Sequence, residues 1–178
     1  MKRTRRGRSK LILVLGGAAS GKSQAALEAA GRARPKAFVA TGQALDREMA
    51  ERIARHRTTR SADWTTVEVP VELAAWFRRH ENGYRTIVLD CLTLWLANQR
   101  GKRVRDTDVS GRVADLLDAI RSTTARVVVV SNELGLGLVP AGKSVRSFRD
   151  LAGRVNQQVA AEADEVYLVV SGLSLRLK

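Results

Sequence analysis

Aromatic side chains are scarce in this chain, at 4% of 178 residues, and it holds one cysteine, two histidines and three prolines. So few aromatics leave little for the stacking platforms on which single-strand nucleic-acid binders lay bases. A single cysteine, Cys91, excludes an intrachain disulfide and any cysteine-rich metal site, and zinc-finger spacing is absent. It sits beside an apolar run, where burial is the ordinary expectation, and a reducing cytoplasm is the compartment that fits. No apolar run approaches the roughly 18 residues needed to cross a bilayer. With 44% hydrophobic residues the composition also excludes a disordered tail. What remains is a globular domain, and the length suggests one.

Acidic residues are the minority, 18 Asp+Glu against 31 Lys+Arg, for a net charge of +13. The segment Met1–Lys10 (MKRTRRGRSK) holds six of the positives and no acid, leaving +7 for the rest. We therefore expect residues 1–10 to be a flexible basic extension and residues 11–178 to form one moderately basic domain. Nucleic acid is not expected as a partner. Arg5-Arg6 ahead of Leu11–Leu15 imitates an export signal, but the apolar stretch is five residues long. Cleavage after Ala18 or Ala19 would cut through the most specific motif in the chain.

Strand-like and helix-like segments alternate from end to end. Strands are expected at Leu11–Leu15, Ala37–Ala40, Thr65–Val69, Arg85–Leu89, Arg126–Val130, Glu165–Val170 and Leu173–Leu177. Several are unbroken Val/Ile/Leu runs, as in parallel sheets covered on both faces. Helices are expected near Lys22–Gly31, Leu45–Arg57, Val71–His80, Leu92–Asn98, Val109–Arg121 and Arg146–Ala163. The alternation implies an open α/β sheet with ligands at the carboxyl ends of its strands. Val170-Ser171-Gly172-Leu173 leaves room for only a tight turn, so the last two strands should pair antiparallel at an edge. Residues 100–108 and 134–144 read as the longest irregular loops, where lids or substrate-facing segments belong.

The segment Gly16-Gly17-Ala18-Ala19-Ser20-Gly21-Lys22-Ser23 satisfies G-x-x-x-x-G-K-[ST], after an expected strand and at the start of an expected helix. Such a P-loop turns backbone N–H groups and a helix N-terminus toward phosphate oxygens. Lys22 then reaches the β- and γ-phosphates, and Ser23 can ligate Mg²⁺. The expected fold class is a P-loop NTPase of RecA-like type, mostly parallel, with helices on both faces and a C-terminal antiparallel hairpin.

A phosphoryl-transfer site also needs a carboxylate near the metal, and Asp90 follows the apolar strand Thr86–Leu89. It can hold a water on Mg²⁺, orient an attacking hydroxyl or, in the plainer reading, cap the helix that starts at Cys91-Leu92-Thr93. Glu133, in Ser131-Asn132-Glu133-Leu134-Gly135-Leu136-Gly137, is either a second acid facing ligand or a solvated residue beside a cap-type Asn. His56, within Arg52-Ile53-Ala54-Arg55-His56-Arg57, reads on its own as a solvated helix residue. His80 has no motif around it. The motif implies nucleotide-dependent phosphoryl transfer and leaves the acceptor open: a small-metabolite kinase or a nucleic-acid-stimulated ATPase would carry the same loop.

Four stretches decide further. They are Ile12–Ser23 with its doubled glycine, and Ala40-Thr41-Gly42-Gln43 through Asp46, Glu48-Met49, Arg52-Ile53 and His56-Arg57 to Trp64 and Glu68-Val69-Pro70. The others are Asp90-Cys91-Leu92-Thr93-Leu94-Trp95, and Ser131–Pro140 through Arg149–Gln157 to Val170-Ser171-Gly172. Together they resemble, over nearly the whole chain after residue 10, the bifunctional adenosylcobinamide kinase/adenosylcobinamide-phosphate guanylyltransferase family of cobalamin biosynthesis.

The resemblance implies phosphorylation of adenosylcobinamide and then transfer of GMP from GTP to the new phosphate through a guanylylated histidine, at the position of His56. A neutral imidazole nitrogen is a competent nucleophile toward phosphorus. The resemblance further implies nucleotide contacts from Gly16–Ser23 (Gly16, Gly17, Ala18, Ala19, Ser20, Gly21, Lys22 and Ser23), Arg57, Glu68, Asp90 and Glu133. It places Mg²⁺ at Ser23 and Asp90, and catalysis at His56, Lys22 and Asp90. GTP is the implied substrate, with ATP a possible phosphate donor, and the chain is expected to form a cytoplasmic homo-oligomer, a trimer. Arg47, Arg52, Arg55, Arg57 and Arg60 suit a polyphosphate. The chain departs from the family in its basic extension, in Asp90 where some relatives have Glu, and in Arg55 where others have a further histidine.

Overall fold

The computed structural model describes residues 9–58 and 61–178; the side chains of residues 52, 53 and 55–58 lie outside the description. The elements follow as β1 (Lys10–Gly16), α1 (Lys22–Ala30), β2 (Lys36–Ala40), α2 (Arg47–Thr58), β3 (Trp64–Glu68), α3 (Leu73–Arg79), β4 (Thr86–Asp90) and α4 (Leu92–Gly101). After them come α5 (Asp106–Ser122), β5 (Arg126–Asn132), α6 (Lys143–Glu162), β6 (Glu165–Val170) and β7 (Leu173–Arg176).

The strands form one sheet in the order β3-β2-β4-β5-β1-β6-β7. Every pairing is parallel except β6 with β7, the antiparallel edge hairpin. Because side chains alternate along a strand, the two faces separate cleanly. Leu11, Leu13, Ala37, Val39, Ile87, Leu89, Val127 and Val129 pack with residues of α3, α4, α5 and α6. Ile12, Val14, Phe38, Val88, Val128 and Val130 pack with Ala26 and Ala30 of α1. Both faces are covered, which explains why these strands show no polar alternation in sequence.

Element ends shift where hydrogen bonds redirect the chain. Helix α2 starts at Arg47 rather than Leu45 because Asp46 Oδ1 accepts the Met49 N–H (2.7 Å), as an N-capping carboxylate does. Helix α3 starts at Leu73 rather than Val71: the Val71 carbonyl accepts from Trp95 Nε1 (2.7 Å) and Gln99 Nε2 (3.1 Å) of α4. The loop expected over residues 100–108 shrinks to 102–105. Arg100 pairs with Asp106 and donates to Ser147 Oγ (2.7 Å), and Asp106 and Asp108 occupy the first turn of α5, where acids suit the helix dipole. Helix α6 begins at Lys143 rather than Arg146, whose guanidinium donates back to Pro140 O (2.9 Å) and to Ala141 O. Strand β1 takes in Lys10, which pairs with Glu165, and buried Ser9 accepts from Arg121 Nη1 through its carbonyl (2.8 Å).

Candidate nucleotide site

Strand β1 lies between β5 and β6; the connection from β1 to β2 runs toward one edge of the sheet and that from β5 to β6 toward the other, and an open α/β sheet binds ligands at such a point. The P-loop leaves β1 there. Gly16 has no room for a side chain: a Cβ would lie 2.4 Å from Ser20 Oγ and 2.7 Å from the Val169 carbonyl. Gly21 takes φ 92, in the region glycine enters freely, and its α-carbon faces Gly172 so closely that an added Cβ would sit 3.2 Å from Gly172 Cα. Gly172 N–H in turn donates to Ser20 O (2.9 Å). The β6–β7 turn, with Ser171 and Gly172 both at positive φ, therefore braces the P-loop.

No side chain caps the N-terminus of α1, so its first N–H groups are left for an anion. Lys22 lies buried within the loop, with Nζ donating to Gly17 O (2.9 Å). One residue on, Ser23 Oγ donates to Asp90 Oδ2 (2.8 Å), joining residues 67 apart in sequence. Asp90 continues the alternation of Val88 toward α1. It does not cap α4, whose N-cap is Cys91 without a side-chain cap bond. Burial, with the adjacent Asp90 carboxylate adding to it, pushes the Cys91 thiol up to about 11, so this cysteine is no nucleophile at neutral pH.

The other residues singled out in sequence are dispersed. Glu133 starts beside the loop, its N–H donating to Gly16 O (3.0 Å), but its carboxylate accepts the Gly135 N–H (2.7 Å) and so serves its own loop. Glu68 is exposed at the end of β3, four strands from β1, or roughly 19 Å at the usual strand spacing. His56 and Arg57 belong to α2 by backbone, and their side chains are outside the described residues. His80 stacks on Trp76 at 4.6 Å between centroids, and its Nδ1 lies 2.9 Å from Trp76 O, a packing role.

Several residues that reading the sequence does not single out hold this site. The buried Thr41 hydroxyl donates to Cys91 O (2.7 Å) and accepts the Cys91 N–H (2.9 Å), tying the end of β2 to Asp90–Cys91. Asn98 Nδ2 donates to Thr41 O (2.8 Å) and Pro70 O (2.9 Å). Thr93 Oγ1 accepts the Asn132 N–H (2.9 Å), and Asn156 Nδ2 donates to Asn132 O (3.1 Å). Thr41, Thr93, Asn132 and Asn156 all lie in the stretches that carry the family resemblance, the one signal that marks them.

A phosphate-binding loop at the switch point of a mostly parallel sheet, with a hydroxyl and a carboxylate meeting beside it, defines a P-loop nucleotide-binding protein. Solved structures share the fold. A KaiC-like protein from Pyrococcus horikoshii OT3 superposes with a TM-score of 0.52 at 12% identity, covering 90% of this chain and 71% of its own. The RadB recombinase does so with 0.51 at 16% identity, covering 89% and 73%.

The particular family comes from sequence: residues 12–177 match the model of cobinamide kinase / cobinamide phosphate guanyltransferase, and the chain belongs to that family. The bifunctional adenosylcobalamin biosynthesis protein CobU of Escherichia coli K12 is 39% identical, over 94% of this chain and 99% of its own length. Its counterpart CobP of Pseudomonas aeruginosa is 41% identical, over 93% and 96%. Among the described residues no helix is long and apolar enough to cross a membrane.

Proposed function

We propose that this chain catalyses both reactions its family is described by. The first is phosphorylation of the aminopropanol hydroxyl of adenosylcobinamide by a nucleoside triphosphate. The second is transfer of GMP from GTP to that phosphate. The observation that carries the reading is the convergence of Lys22, Ser23 and Asp90 at the P-loop of a chain matched to the family over residues 12–177.

In the first reaction, P-loop N–H groups and Lys22 hold the β- and γ-phosphates, and catalysis is positioning plus charge stabilisation. The Ser23 hydroxyl and the Asp90 carboxylate, 2.8 Å apart, are the hard oxygen donors that suit Mg²⁺. Among the described residues no group of three acids, histidines or cysteines forms a metal cage. That fits an ion held by one carboxylate, one hydroxyl and substrate phosphates. Ser23 and Asp90 would hold such an ion, and it would supply positive charge to offset that of the phosphates. Asp90→Asn keeps the shape of the side chain and removes its charge. It is expected to lower phosphoryl transfer on the order of 10²-fold without moving the melting midpoint by more than a few degrees. Wild-type turnover across a Mg²⁺ titration would remove Asp90 from this role.

In the second reaction, a neutral ring nitrogen of His56 attacks the α-phosphorus of GTP and pyrophosphate leaves. The phosphoramidate then passes GMP to a phosphate oxygen of the acceptor, freeing the histidine. Arg57 and Glu68 contact this GTP, and Glu133 holds the loop after β5 in place through the Gly135 N–H. Residues 11–178 act as one cytoplasmic domain, with the basic extension outside the catalytic machinery. The chain assembles as a homotrimer, a reading supported by the family and by exposed Leu173 and Leu175 on the edge strand β7. Adenosylcobinamide incubated with GTP and Mg²⁺ should gain the mass of one phosphate and then of a GMP unit. A phosphate gain on some other metabolite, with none on adenosylcobinamide, would overturn the proposal.

A further inference from the structure

Asn132 is the last residue of β5, paired in register with Gly16, the first residue of the P-loop. Val128 and Val130 of the same strand face α1, and alternation puts the Asn132 side chain on that face, whereas Ser131 turns the other way toward Thr93. Asp90 pairs with Val130, so Asn132 stands two residues further along the carboxyl edge than Asp90, on the same side of the sheet. Lys22 and the N-terminus of α1, where the P-loop reading puts the phosphates, lie on that side.

The backbone around Asn132 is fixed at three points. Its N–H goes to Thr93 Oγ1, its carbonyl takes the Asn156 amide, and the following N–H, of Glu133, goes to Gly16 O. Asn156 is buried, and its Oδ1 has no partner among the described residues. A half-satisfied buried amide costs stability, and among the described residues its side-chain hydrogen bond is to the Asn132 carbonyl. In contrast to this fixed backbone, the half-buried Asn132 side chain makes no hydrogen bond with the described residues. Its amide carries two N–H donors and no charge, so it can add a directional bond to an anion that Lys22 already neutralises.

We propose that Asn132 is a nucleotide-contacting residue whose side-chain amide donates to the terminal phosphate of the triphosphate in the P-loop. The proposal rests on the P-loop nucleotide reading, which Lys22→Ala tests separately. A hydrogen bond to a charged phosphate made by the triphosphate and not by the diphosphate gives Asn132 a selective effect. In the full-length protein, Asn132→Ala should weaken binding of a non-hydrolysable GTP analogue by about 10- to 100-fold and leave GDP affinity within about twofold.

Asn132→Asp, nearly identical in shape, should weaken the analogue at least as much, because it sets a carboxylate against phosphate. It keeps the test open should the alanine variant fold poorly. Equal losses for GDP and the analogue, or analogue affinity within twofold of wild type in either folded variant, would overturn the proposal while leaving the P-loop assignment intact. If wild type and Lys22→Ala bound both nucleotides alike, the nucleotide reading itself would fall, and this proposal with it.

Discussion

Lys22→Ala is expected to cut phosphoryl transfer on the order of 10²- to 10³-fold, the scale of losing one charge-stabilising donor from a preorganised phosphate site. The ammonium is buried and held by the Gly17 carbonyl inside the loop, already where the β- and γ-phosphates would lie. Alanine is the better helix former, and Lys22 is the first residue of α1, so the helix should survive the change. The loss should therefore appear in turnover and triphosphate affinity, with little effect on the melting midpoint. Lys22→Arg should not rescue it, since a planar guanidinium does not replace a compact ammonium in a loop braced by Gly172. Turnover within a few-fold of wild type would remove the P-loop from the mechanism.

The parts of the molecule visible in its sequence are those that local pattern controls. Unbroken Val/Ile/Leu runs locate the parallel strands, Ser171-Gly172 marks the hairpin turn, and the spacing of glycines, lysine and serine marks the phosphate loop. Helix starts are less visible because distant partners set them. Val71 is withheld from α3 by Trp95 and Gln99, and Arg100 closes the turn before α5 through Asp106 and Ser147.

The candidate site divides in the same way. Asp90 is legible as an acid after an apolar strand, yet its choice between capping and the P-loop depends on Ser23, far away in the chain. The ties from Thr41 to Cys91, from Asn98 to Thr41 and Pro70, and from Asn156 to Asn132 depend on folding, and no spacing announces them. Glu133 shows the converse. It has the position of a ligand-facing acid, and Gly135 claims its carboxylate.

His56→Ala is expected to abolish guanylyl transfer, because no second group in the account forms the covalent intermediate. Cys91 is excluded by its high pKa and burial, and His80 is engaged with Trp76. Alanine is favoured over histidine within α2, so loss of the helix does not explain a negative result. The phosphorylation step uses the P-loop and should persist, which separates the two activities in one variant. The measurement that bears most directly on the account is incubation of the full-length protein with GTP labelled at the α-phosphorus and Mg²⁺. Wild type should retain a label that acid removes and that added adenosylcobinamide phosphate takes up, and His56→Ala should retain none. Equal labelling of His56→Ala, or a corrinoid product formed without labelled enzyme, would contradict the account.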